Sequence, residues 1–307
     1  MGPTVTEQRG VIVMAYGTPQ SLDGVAAYYT DIRRGRPPPP ELLEELTDRY
    51  RAIGGRSPLL EITQEQALGV EERIHVKTYL GQKHAAPSIP DAVRRLRDDG
   101  VERAVGLVLA PHYSRMSIGD YESRVRVAAD EQGWAGKLEM IDSWHLEPGY
   151  IGYLATEVER ALNDIPVPAR ESSLVVFSAH SLPEKILASG DPYADQLRET
   201  AQAVAERAGI ERWQIGWQSA GRTQDPWLGP DILQILADVA ATGETAGVVV
   251  CPCGFVADHL EVLYDIDIEA QALAQELGLE LRRTRAPNDD PAFLDCLAAV
   301  VDRAFQS

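Results

Sequence analysis

Cysteine is scarce in this chain, with three in 307 residues, too few and too odd in number for a disulfide framework. A reducing, cytoplasmic compartment is the expectation. The opening MGPTVTEQRG lacks the apolar stretch of a secretory signal. Long hydrophobic runs are missing as well: the longest, 247–257 (GVVVCPCGFVA), is about half of a membrane span and is interrupted by Pro and Gly. It reads as a buried strand, and no transmembrane segment is expected. Positive charge is also short, with 29 Lys and Arg against 47 Asp and Glu and a net charge of -18. Repulsion from phosphate backbones at that charge excludes nucleic acid as a partner. The chain has no Walker pattern, no GxGxxG at a strand-to-helix turn and no GxSxG elbow, so nucleotide-dependent and ordinary serine-hydrolase chemistries lack their signatures.

What is present is an ordinary globular composition, 44% apolar and 25% charged, long enough for two domains of about 150 residues each. Short β-rich runs fall at 11–15, 76–80, 104–110, 138–141, 174–178, 214–217 and 246–251, and helical patterns at 41–53, 89–99, 121–132, 150–164, 194–208, 231–241 and 258–277. Nearly continuous apolarity in the strands means both faces are covered. The alternation predicts an α/β protein with doubly wound parallel sheets. The Pro-containing stretch 164–172 (DIPVPARES) reads as a linker, which gives two lobes, 1–168 and 169–307, with a final helix at 291–305 packing back on the first. Near Ile74 a helical pattern runs straight into His75-Val-Lys-Thr with no Gly or Pro to make the turn.

The residues that carry chemistry lie just past two apolar runs: Ser-Ala-His180-Ser-Leu-Pro after LVVF, and Ala-Asp-His-Leu-Glu261 after GVVVCPCGF. Open α/β sheets place their ligand crevice at the carboxyl ends of strands. A histidine facing a carboxylate there can bind a divalent metal or take up protons. His180 read alone is equally a hydrogen-bonded turn residue, and Glu261 fits a capping box with Asp258. The extended pattern Glu261, Asp265, Glu269 repeats at i, i+4 and i+8 along one helix face, where like charges repel unless they carry cations or protons. An exposed acidic face is the plain alternative. Tyr16 ends the first strand and is a packing residue or a phenol facing the same crevice. Arg33, Arg34, Arg36, Arg49, Arg51 and Arg56 form a locally basic stretch, either solvated or suited to carboxylates. The prolines at 37–40 stiffen the loop that carries them, or offer a docking motif. Cys251 and Cys253 offer half of a zinc or iron–sulfur site, but four ligands are the norm, and buried thiols are the expectation.

With these residues in view, the sequence resembles the ferrochelatase family, most closely the coproporphyrin III ferrochelatases of Gram-positive bacteria. The resemblance runs through VMAYGTP, YYTDIRRGR, DRYRAIGGRSPL, LAPHYS, SAHSLPEKI, GDPYADQL, GWQSAGRTQDPWLGPD and GFVADHLEVLYDID, spaced over almost the whole chain. It implies two Rossmann-like lobes with a cleft between them, a porphyrin and Fe2+ as substrates, and insertion of the iron to form coproheme, with protoporphyrin IX as the alternative porphyrin. A noncatalytic tetrapyrrole or metal carrier is the alternative from another class. The resemblance gives His180 and Glu261 the metal and proton handling, with Tyr16 approaching the metal from the other side. It gives Arg33, Arg49, Tyr50, Ser57 and Tyr121 contacts to the porphyrin, and Asp265 and Glu269 an outer metal site. No resident cofactor is implied: some family members bind a [2Fe-2S] cluster, but the cysteines here do not supply four ligands. A monomer is expected.

Overall fold

The computed structural model describes residues 7–306, so most of the opening segment read for a leader lies outside the described residues. Among the described residues, eight strands form two four-stranded sheets, every pairing parallel. The first holds β1 (Arg9–Ala15), β2 (Thr78–Gln82), β3 (Arg103–Val108) and β4 (Lys137–Met140), in the order β2-β1-β3-β4. The second holds β5 (Leu174–His180), β6 (Trp213–Gln218), β7 (Gly247–Cys251) and β8 (Glu280–Arg283), in the order β6-β5-β7-β8. Each sheet therefore starts at an inner strand and winds outward in both directions, which creates a switch point beside β1 and beside β5.

Valine-rich strands such as VVV in β7 are buried throughout because helices cover both faces. The eighth strand was not expected: ELRR carries three charges, and it survives as a strand because it lies at the sheet edge, where all but Leu281 are partly exposed. The helix Ile89–Asp98 opens on a reciprocal capping box between Ser88 and Asp91. Pro40 begins the helix Pro40–Ala52 at a position where its missing N–H costs nothing. The turn after the helix Leu59–Ile74 is made by His75 in the left-handed region, φ 55°, a conformation usually left to glycine.

The chain forms two compact units: one of residues up to Ala110, Arg115–Trp144 and the end from Asn288, the other of Pro111–Ser114 and His145–Pro287. The division near Trp144 differs from the one expected at 168/169. The helix Pro148–Asn163 buries Tyr150, Leu154 and Val158, and its buried Glu157 accepts hydrogen bonds from the backbone N–H and Nε of Arg285 in the second unit. The stretch taken for a linker is itself packed, with Ile165 and Ala169 buried. In the first unit the last helix, Pro291–Gln306, lies on Leu59–Ile74, where a Cβ built on Gly69 would come within 2.5 Å of Leu294 Cδ1.

Two stability predictions follow from this packing. Gly69→Ala forces Leu294 aside and is expected to cost about 1–3 kcal/mol, read as a lowered urea midpoint; an unchanged midpoint contradicts the close helix contact. His112 in the second unit is buried against Thr200 Oγ1 at 2.9 Å, and burial, helped by nearby His145, pulls its pKa from 6.5 to about 3. The unfolded chain takes up a proton that the folded one refuses, so this stability is complete above pH 6.5 and is lost as pH falls toward about 3. Thermal melts between pH 7 and 4 should fall less steeply in His112→Gln than in the parent.

Candidate functional site

The second sheet brings the two expected residues together. His180 ends β5, and Glu261 opens the helix Leu260–Tyr264 that follows β7, the neighbour of β5. His180 Nε2 lies 3.6 Å from Glu261 Oε1, with both side chains about one-third exposed. The connection after β7 fits because Gly254 has no side chain: a Cβ there would stand 2.4 Å from Ala179 Cβ. Gly254 N–H donates to Ser178 O, and the Cys253 thiol also points at that carbonyl. Cys251 and Cys253 are fully buried, and burial together with the neighbouring Cys251 pushes the Cys253 thiol well above the ordinary range.

Hydrogen bonding fixes which nitrogen of His180 is reactive. Nδ1 is 2.5 Å from the Ser181 carbonyl oxygen, which can only accept, so Nδ1 carries the proton. Nε2 then presents its lone pair toward Glu261. On the far side of the carboxylate stands His259, whose Nε2 is 3.7 Å from Glu261 Oε2 and whose Nδ1 donates to Ala257 O. Burial works to lower the His259 pKa, but Glu261, the Ala257 carbonyl and Asp265 outweigh it and hold it above the ordinary value. His259 was not among the expected site residues, although it sits two residues from Glu261. No three His, Cys, Asp or Glu side chains among the described residues converge on one metal position, so an ion at this pair would keep other ligands in its remaining positions.

The capping role considered for Glu261 is not what the structure shows. His259 holds the N-cap without a side-chain cap bond, and Asp258 pairs with Arg283 at 3.2 Å. The expected single helix over 258–277 is also divided: Leu260–Tyr264 is α-helical, Asp265–Ala270 is a π-helical turn, and Gln271–Glu276 returns to α. The π turn, with its i→i+5 hydrogen bonding, changes the register of Asp265 and Glu269 from that of a continuous α-helix. Asp265 accepts a hydrogen bond from Ser219 Oγ, and Glu269 is half-buried.

The first unit carries its own polar group at the ends of β1 and β2. Tyr16 is 42% exposed, and its ring lies 4.7 Å from the His84 ring. Lys83 Nζ stands 5.7 Å from the Tyr16 centroid, 5.1 Å from that of Tyr121, and 2.6 Å from Asp120. Burial lowers the Lys83 pKa against the pull of Asp120, and lowers that of His84 against Asp31, which lies 2.6 Å from its Nδ1. Burial also lifts the phenol of Tyr121 well above its usual range. Lys83 and His84 were not expected, yet they follow a strand end just as His180 does, and that rule applied to β2 finds them.

The remaining expected contacts divide by exposure. Arg33 stacks its guanidinium 5.9 Å from the Tyr29 ring, and its buried Nε has no protein acceptor. Arg49 reaches Glu45 at 3.7 Å. Tyr50 is buried with its hydroxyl 3.1 Å from Thr18 Oγ1, and buried Ser57 accepts from the N–H of Leu59.

Comparison with known proteins identifies the family and the fold. The ferrochelatase family matches residues 8–305. A coproporphyrin III ferrochelatase of Geobacillus kaustophilus is 47% identical over 304 residues, covering 97% of this chain and 96% of the relative. One from Bacillus mycoides is 48% identical over 307 residues, covering 97% and 98%. Among solved structures, SirB from Bacillus subtilis with Fe3+ superposes with a TM-score of 0.61 at 11% identity, covering 97% of this chain and 95% of that one. The sirohydrochlorin chelatase SirB from Bacillus subtilis subspecies spizizenii, in complex with cobalt, gives 0.57 at 12% identity, covering 97% and 96%. At such identities the two structures speak for the shared chelatase fold alone. The full-length family match and the near-complete relatives establish that this chain belongs to the ferrochelatase family.

Proposed function

We propose that this protein inserts ferrous iron into coproporphyrin III, producing iron coproporphyrin III (coproheme), as a cytoplasmic monomer that holds iron as a substrate and has no resident cofactor. The observation that carries the reading is the directed lone pair of His180 Nε2, 3.6 Å from a carboxylate. Several full-length relatives bear the name coproporphyrin III ferrochelatase. No helix among the described residues is long and apolar enough to cross a membrane.

Metal insertion requires the iron to shed water, two pyrrole N–H protons to leave, and the ring to bend so that its nitrogen lone pairs are exposed. His180 Nε2 accepts a proton or binds the incoming ion. Glu261 takes the second proton, with the His259 imidazole beside it stabilising the carboxylate charge between transfers. Asp265 and Glu269, farther along the same helical segment, form the outer stage for the ion or the departing protons. Tyr16 contacts the metal side of the macrocycle, and Arg33, Arg49, Tyr50, Ser57 and Tyr121 contact the porphyrin. The unpartnered Nε of Arg33 suits a propionate. Four propionates make better use of the arginines at 33, 34, 36 and 49 than two do.

Two measurements check this reading. His180→Ala and Glu261→Gln are each expected to lower the metallation kcat by about a hundredfold or more, while porphyrin affinity, followed by fluorescence quenching, persists. A parent protein that binds both substrates without releasing metalloporphyrin is a carrier and refutes the enzyme reading. Steady-state turnover should favour coproporphyrin III over protoporphyrin IX, and faster use of protoporphyrin IX overturns the substrate.

A further inference from the structure

We propose that Gln218 is a positioning residue for iron insertion, setting the distance between His180 and Glu261 from beneath; the role rests on the reading of that pair as the reacting groups. Gln218 is the last residue of β6, aligned with His180 in the β5–β6 register, and only 2% exposed. Its side chain bridges the two elements that carry the pair. Oε1 accepts from Ser178 Oγ at 3.0 Å, two residues before His180 in β5, and Nε2 donates to the backbone carbonyl of Glu261 at 3.1 Å. The orientation of the amide follows from chemistry: a carbonyl oxygen only accepts, so the atom facing Glu261 is the nitrogen.

The backbone of Gln218 holds the other side of the pair. Its carbonyl accepts the N–H of Ser181 at 2.8 Å, and Ser181 is the residue whose own carbonyl fixes the His180 tautomer. One residue on, Ser219 adopts φ 57° and donates from Oγ to Asp265. A left-handed serine costs energy that the surrounding contacts must offset, so the end of β6 is anchored to the same helical segment at two successive residues. Glu261 O already receives the N–H of Asp265 within the helix, and the Gln218 amide occupies the carbonyl's second lone pair. Moving that amide shifts the start of the helix, and with it the carboxylate, while the porphyrin contacts assigned to Arg33 and Arg49 stay as they are.

Three variants test the role: Gln218→Leu, Gln218→Glu and Ser178→Ala, each measured for kcat, KM, porphyrin affinity and thermal midpoint over a range of pH. Gln218→Leu is expected to lower kcat by roughly ten- to a hundredfold through misplacement of the pair, with porphyrin affinity unchanged, and Ser178→Ala to act in the same direction but less. Gln218→Glu sets a carboxylate oxygen against the Glu261 carbonyl. Its kcat relative to the parent should be lowest above neutral pH and recover as acid restores an O–H donor, a pattern that mere loss of packing does not produce. If His180→Ala is inactive while both Gln218 variants stay within about twofold of the parent kcat, the positioning role is wrong and the reading of the pair survives. Loss of activity that tracks the thermal midpoint, with no recovery in acid, likewise overturns it. A fully active His180→Ala removes both.

Discussion

The Ser181 carbonyl oxygen decides what His180 can do. By accepting the hydrogen bond of Nδ1–H at an N···O distance of 2.5 Å, it leaves Nε2 as the nitrogen with a free lone pair, 3.6 Å from Glu261. A carboxylate in the same position would instead have drawn the imidazole toward its charged form and blunted it as a base or ligand. The neutral backbone acceptor fixes the tautomer without adding charge. Beyond the carboxylate stands His259, so Glu261 lies between two imidazoles, 3.6 Å from His180 Nε2 and 3.7 Å from His259 Nε2.

The fold makes this arrangement inexpensive. In the second sheet, β5 and β7 are adjacent and parallel, and their carboxyl ends flank the point where the winding reverses. Loops from neighbouring strands diverge there and leave room for a ligand. The first sheet repeats the strand order, and the ends of its own β1 and β2 gather Tyr16, Lys83 and His84. Burial disfavours the charged form of the basic groups at both strand ends, with different outcomes. At Lys83 and His84 burial prevails and lowers the pKa, whereas at His259 Glu261, the Ala257 carbonyl and Asp265 outweigh it and raise the pKa.

Much of this was legible in the residues. Mostly apolar runs located seven strands, most clearly β1, β3, β5 and β7, since a strand covered on both faces has to be apolar; ELRR escaped because an edge strand is free to be charged. His180 and Glu261 were found by their place after strands, while Lys83, His84 and His259 follow the same rule but lacked a pattern that drew attention to them. The stripe Glu261, Asp265, Glu269 assumed an uninterrupted α-helix, and nothing in DIDIEA announces a π turn. The stretch 164–172 looked like a linker because Pro and polar residues also suit a tight packed turn, and only tertiary contacts distinguish the two. The identity of the porphyrin rested mainly on resemblance, with the arginines at 33, 34, 36 and 49 as a secondary argument, since the same arginines could serve two propionates.

The central claim is that this protein catalyses the joining of iron and a tetrapyrrole. Anaerobic mixing of the purified chain with Fe(II) and coproporphyrin III, followed by absorption spectroscopy, tests it most directly. The account predicts that the four-banded visible spectrum of the free-base porphyrin collapses to that of the metallated ring, at a rate proportional to protein concentration. A free-base spectrum that persists, or that changes no faster than in the absence of protein, contradicts it.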